Sequence, residues 1–177
     1  MQETRYIYQD NLESDRLQTR FLTAADIEAW SEFFKDKETI KLFRPALLIP
    51  GQNHAENWIN GQIKRYADKR FGLQALIDKS THEFIGQCGL LAQEIDGKTE
   101  IEVGYHVFKK YWGQGYAPEA ARLFIDYAFA NNITSSLVSI IDIRNNKSQR
   151  VAGKNGLKKD KETTWNGIQV YIYRINN

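Results

Sequence analysis

The stretch from Lys109 to Phe129, KKYWGQGYAPEAARLFIDYAF, sets two glycines around a glutamine, then an alanine and a proline, directly ahead of an amphipathic run. A helix leaves its first N–H groups without internal partners, and its dipole places about half a positive charge there, so such a start suits an anion. Gly113 and Gly115 permit unusual dihedrals, Ala117 keeps the wall low, and Pro118 fits the first helical position, where a missing N–H costs nothing. A plainer reading stands beside this one: a strand-to-helix turn whose glycines only relieve strain. Two common phosphate loops are excluded by residue type. The P-loop needs lysine followed by serine or threonine at the helix start, where this chain has Pro118 and Glu119; the dinucleotide fingerprint needs a parallel strand-turn-helix unit and an acid about 20 residues on.

Two further groups carry acid-base or hydroxyl chemistry. Period-two alternation in EIEVGYHV puts Glu102, Gly104 and His106 on one face of a strand, and each ionisable member also fits a paired or solvated strand residue. Gly104 fits a bulge or a close backbone approach, or simply a glycine beside a packed Tyr105. In RNNKS, Asn145 stands three residues before Ser148, the spacing of a helix cap at the end of an apolar strand.

The elements that hold these groups alternate strand and helix. Arg16 to Phe21 is a short extended run. Thr23, followed three residues later by Asp26, opens an amphipathic helix reaching Phe34, and Asn53 with Glu56 opens a second, ending near Lys69. Phe71 to Asp78, Phe84 to Leu91 and Lys98 to Phe108 read as an antiparallel meander, with Asp96-Gly97 as a hairpin signal. A helix from Pro118 to Ala130, a strand from Leu137 to Ile143, a short helix from Lys147 to Asn155 and a hairpin turned at Asn166-Gly167 complete the chain. The fold class expected is α/β in the α+β sense: a mixed, mostly antiparallel sheet of about seven strands flanked by helices.

With 177 residues, 42% of them hydrophobic and 12% aromatic, the chain has the size of one domain spanning residues 1–177, and no repeat or linker divides it. The 24 basic residues against 22 acidic ones leave a net charge of +2, which argues for neither nucleic acid nor an anionic membrane as partner. Cys88 is the single cysteine, no leader is visible, and no apolar run approaches the roughly 20 residues of a membrane span, so a cytoplasmic location is expected. His54, His82 and His106 lack the short spacings of zinc sites, and no metal is expected. IQVYIYRI in the closing hairpin reads as an exposed edge able to pair across a dimer, which leaves monomer and homodimer both open.

YWGQGYAPEAARLFIDYAF resembles the pyrophosphate-binding motif of the GNAT N-acetyltransferases, in the branch of ribosomal-protein N-terminal acetyltransferases of the RimJ/RimL type. SDRLQTRFLTAADIEAW, FIGQCGL with EIEVGYHV, and NNKSQRVAGKNGL resemble further segments of that branch in the same order, so the resemblance covers nearly the whole chain. It implies the GNAT fold and acetyl-CoA as co-substrate. Trp112, Gly113, Gln114, Gly115, Tyr116 and Ala117 would hold the pyrophosphate by backbone N–H groups, Trp112 standing where the wider superfamily has arginine or glutamine. Val103, Gly104 and Tyr105 match the strand that pairs with the pantetheine arm, Asn145 the residue contacting that arm, and Ser148 the serine near the departing sulfur.

The resemblance further implies an amine attacking the thioester directly. Glu102 is the base it suggests, with His106 as second choice. Many relatives use a tyrosine as acid four residues before the late glycine; counting back from Gly156 finds Ala152, so the role passes to Ser148 or the thiolate leaves unassisted. A thiol near pKa 8.5 permits the latter, and an α-amine near 8 asks less of a base than lysine near 10.4. The acceptor is a protein N-terminal amine or a small-molecule amine, in a pocket lined by KLFRPALLIPGQNHAENW and Trp165. A non-catalytic acyl-CoA-binding sensor or interaction module is the alternative reading.

Overall fold

The computed structural model describes residues 6–177. Seven strands form one sheet: β1 (Leu17–Phe21), β2 (Leu73–Asp78), β3 (Phe84–Ile95), β4 (Lys98–Val107), β5 (Ser136–Asp142), β6 (Lys158–Trp165) and β7 (Ile168–Asn176), in the order β1-β2-β3-β4-β5-β7-β6. Every neighbouring pair is antiparallel except β4 and β5, which run parallel. The expected mixed, mostly antiparallel sheet is therefore present.

Helices cover both faces because the inner strands are apolar on both. α1 (Ile27–Lys35) and α3 (His54–Ala67) pack one face through Trp30, Phe33, Ala55 and Ile59 against Ala75. α4 (Tyr116–Ala130) packs the other, its Ala120, Phe124, Ile125 and Ala128 fully withdrawn from solvent against Leu90, Val103 and Leu137. At roughly 1.5–3 kcal/mol for each large side chain removed from water, these two layers clamp the sheet between them. Local signals place the helices: Asn53 Oδ1 accepts from Glu56 N at 3.0 Å, and Asp26 Oδ2 from Thr23 N at 2.8 Å.

Several boundaries differ from the sequence expectation. β3 runs on to Ile95, because Asp96 and Gly97 at φ 48° and 76° make a two-residue turn and both strands pair up to it. α4 begins at Tyr116 rather than Pro118, which moves the proline to the third helical residue; its absent N–H still belongs to the unbonded first turn. Between the first two expected helices, α2 (Lys37–Ile40) precedes the KLFRPALL segment, read above only as pocket lining, and that segment contains a 3-10 turn at Pro45–Leu47. IQVYIYRI lies in β7, which is paired on both sides and offers no edge. The actual edge is β6, whose lysines blunt it.

Candidate active site

The parallel pair β4 and β5 meets in register only at Ile101↔Leu137 and Glu102↔Val138. One further tie follows, Ser139 Oγ donating to Val103 O at 3.1 Å, and beyond it the strands part. β4 leads into α4 on one side of the gap, and β5 into α5 (Asn146–Lys154) on the other. A cleft of about 770 Å³ fills the wedge, walled by the start of α4, by α5 and by α2. A second cavity of about 190 Å³ adjoins it and shares Thr39, Leu42, Tyr105, His106, Asn145 and Ser148 with it.

The floor of the large cleft is the turn before α4. Gly113 and Gly115 adopt φ 75° and 82°, the left-handed region that other residues reach only with strain. A Cβ on Gly113 would meet nothing, so the backbone conformation alone demands glycine there. The N–H groups of Gly113, Gln114, Gly115, Tyr116 and Ala117 donate to no acceptor among the described residues, and the first bond into the helix is Glu119 N to Gly115 O. Five consecutive open donors at the positive end of a 15-residue helix make this turn a candidate anion cradle.

Residues outside the motif brace this turn. Arg16 donates from Nε to Glu119 Oε2 at 2.7 Å and from Nη1 to Gln114 O at 2.9 Å, and lies over the Tyr116 ring at 4.3 Å. Glu119 also accepts from Ser14 Oγ, so its charge is spent on the brace and leaves the cradle amides open. Tyr116 Oη donates to Asp78 Oδ2, and donors from Ser80, Thr81 and Tyr116 hold that carboxyl well below the usual range. Gln114 does not line the cleft: its side chain donates to Lys110 O and its carbonyl accepts from Arg16.

Across the cleft, Asn145 caps α5, its Oδ1 accepting from Ser148 N at 3.1 Å. Tyr105 Oη donates to Ser148 O at 3.1 Å, which brings two hydroxyl-bearing side chains together where the cavities meet. Ala152, by contrast, is buried at 2% exposure and carries no proton donor. Lys147 stands 4.0 Å over the Trp112 ring, whose Nε1 donates to Val107 O. A cation thus reaches the neighbourhood of the cradle from α5 rather than from the motif. Glu38 on α2 pairs with both Lys147 and Lys109, at 3.4 and 2.8 Å, while Arg150 and Lys154 line the cleft without an ion pair among the described residues.

The smaller cavity holds the acid-base pair that alternation placed on one face. Glu102 is 9% exposed and accepts from Gln93 Nε2 at 2.8 Å; burial raises its pKa against the opposing pull of Gln93 and Arg44. His106 is ringed by Trp58, Phe43 and Phe33 at 5.2, 5.6 and 5.7 Å, and burial with Arg44 nearby lowers its pKa to about 4. Glu102 is consequently the better proton acceptor at neutral pH. Val103 and Gly104 line this cavity rather than the large cleft. At Gly104 the β3–β4 register is unbroken and a Cβ would meet only ordinary contacts, 3.5 Å and beyond, so neither a bulge nor a crowding protein atom explains that glycine. Among the described residues no group of three or more His, Cys, Asp or Glu side chains is placed to hold a metal.

Residues 16–158 match a family described as "Acetyltransferase (GNAT) domain". The uncharacterized protein YkkB of Bacillus subtilis is 32% identical over 171 residues, covering 94% of this chain and 96% of that protein. The crystal structure of an acetyltransferase from Agrobacterium tumefaciens shares the fold with a TM-score of 0.78 at 24% identity, covering 100% of both chains. RimL, a ribosomal L7/L12 alpha-N-protein acetyltransferase solved in complex with coenzyme A, shares it with a TM-score of 0.75 at 16% identity, covering 92% of this chain and 95% of its own.

Proposed function

The chain belongs to the GNAT acetyltransferase family, and from that premise we propose that it transfers the acetyl group of acetyl-CoA to the primary amine of a protein N-terminus or of a small molecule, within one domain spanning residues 1–177. The observation that carries this reading is the run of five unpartnered N–H groups from Gly113 to Ala117, four of them on residues that line a cleft of about 770 Å³, which suits a pyrophosphate. Arg150, Lys154 and Lys147 add positive charge along the same cleft for a polyanionic ligand. The bound thioester supplies an acyl carbonyl open to attack.

The chain's own groups divide the remaining work. Glu102 receives a proton from the incoming ammonium, directly or through water, since burial makes its carboxylate more basic than usual. The parting of β4 from β5 leaves the β4 backbone beyond the Ser139 tie to Val103 O without a strand partner on that side, which suits the stretch from Val103 to Tyr105 to an extended arm and to a carbonyl oxygen gathering charge. Ser148 delivers a proton to the departing sulfur, with its main chain steadied by Asn145 and Tyr105. RimL acts on a protein amine by its name, which supports the N-terminal alternative for the acceptor. A free, fully buried Cys88 suits a reducing compartment such as the cytoplasm, and no helix among the described residues is long and apolar enough to cross a membrane.

Calorimetric titration of acetyl-CoA into the parent and into Gly115→Glu tests the cradle. Binding in the parent that the variant abolishes is the expected result, because a carboxylate would then sit among the amides. A parent that does not bind overturns the reading.

A further inference from the structure

The smaller cavity contains a charge that the acetyl transfer does not use. Arg44, between α2 and the turn at Pro45–Leu47, is half-buried, and its Cζ lies 4.6 Å from the centroid of the Trp165 ring. The indole covers one face of the guanidinium, while the five N–H donors on its edge find no acceptor and no ion-pair partner among the described residues. Withdrawing part of a charge from water is costly without a counter-charge, and the Trp165 ring offsets that cost on one face of the guanidinium only. Glu102 lines the same cavity, near enough for the two charges to influence each other but with no ion pair or hydrogen bond between them among the described residues, so the cavity presents a carboxylate and a guanidinium at two points.

A ligand with the reverse polarity fits: an ammonium beside Glu102 and a carboxylate on the Arg44 fork. The volume, about 190 Å³ or roughly six waters at ~30 Å³ each, admits one amino-acid-sized unit. Resting on the transferase reading, we propose that Arg44 is the specificity residue of the acceptor site and that the acceptor is a primary amine carrying a carboxylate on the same residue-sized unit. A planar guanidinium takes a carboxylate through two parallel hydrogen bonds, which lysine cannot reproduce. Two sources offer this chemistry, the α-carboxylate of a free amino acid and the acidic side chain of a first peptide residue.

The test uses matched pairs. Coenzyme A release and calorimetric binding to the coenzyme A-loaded protein are measured with L-alanine against L-alaninamide, and with the amidated peptide Asp-Ala-Ala against Asn-Ala-Ala. A preference of roughly 10- to 100-fold for the carboxylate member of one pair is expected in the parent, and the pair that shows it identifies the source. Arg44→Gln should bring that ratio close to one through KM, and Arg44→Lys should restore part of it. Thermal melting and acetyl-CoA titration confirm that both variants are folded. Equal use of both members of both pairs, a preference that survives Arg44→Gln, or neither binding nor turnover with any of the four overturns the proposal. Selective binding without coenzyme A release keeps the anion site and instead sinks the transferase reading.

Discussion

Tyr116 Oη donates to Asp78 Oδ2 at 2.8 Å, tying the first residue of α4 to the last residue of β2. The cradle amides are thereby held by the sheet as well as by their own helix. Asp78→Asn removes the charge that Ser80, Thr81 and Tyr116 all address, and should lower the melting temperature at pH 7 by about 3–6 °C. It should also raise the KM for acetyl-CoA several-fold. Because these donors depress the folded-state pKa, the stabilisation is complete above about pH 4, the ordinary aspartate value, and fades as the pH falls below it. Melting curves at pH 7 and pH 3 should show the parent and variant converging in acid.

Glu102→Gln should lose activity and gain stability. Removing a general base lowers kcat by roughly 10²- to 10⁴-fold, and the acid limb of the pH–rate profile should vanish with it. A buried carboxyl whose folded pKa is raised favours folding only while protonated, so that contribution is lost as the pH rises through the raised value. The glutamine variant should therefore melt higher than the parent at pH 8, with no advantage near pH 4. Unchanged turnover in the variant would remove Glu102 from the mechanism.

His106 should stay neutral through the working range. With its pKa lowered to about 4, its imidazole resonances in NMR should not titrate above pH 5.5, and His106→Phe should leave the acid limb of the rate profile in place. Folding is favoured by the neutral ring, so the parent should lose stability between about pH 6.5 and about pH 4 that the phenylalanine variant keeps.

Glu38 and acetyl-CoA should compete for the same cations. Glu38 draws Lys147 and Lys109 toward α2 across the cleft mouth. Glu38→Gln should tighten acetyl-CoA binding about two- to fivefold at low salt, and Lys147→Ala should weaken it by a similar factor, since exposed pairs contribute little. Both effects should shrink in 0.5 M salt; persistence there would contradict an electrostatic cause.

The legible parts of the fold were those written in local chemistry. Alternation exposed the meander, Asp96-Gly97 the hairpin, and Gly113 with Gly115 the cradle, because each is dictated by residues close in the chain. What remained hidden depends on distant partners. Arg16 is 103 residues from Glu119 and 98 from the Gln114 carbonyl it holds, and nothing in either neighbourhood announces the other. The placement of β7 between β5 and β6 is likewise a tertiary choice: its alternation reads the same on an edge as in the interior. Asn145 satisfied its bland reading as a cap and its position on the cleft together, since capping Ser148 N is what turns that end of α5 toward the cavity. Lys147 carried no sequence signal of its own beyond being basic, and Arg44 only its place in the stretch read as lining the acceptor pocket.

The two-residue seam between β4 and β5 divides the main-chain pairing of the sheet into two panels, β1 to β4 and β5 to β7, which meet in register only at Ile101↔Leu137 and Glu102↔Val138 and are otherwise tied by side chains such as Arg174 on Glu100 and Lys161 on Asp96. On the proposed reading the co-substrate would take the place of a missing rib of the sheet beyond that seam, and amide exchange in β4 and β5 should slow together when it is loaded.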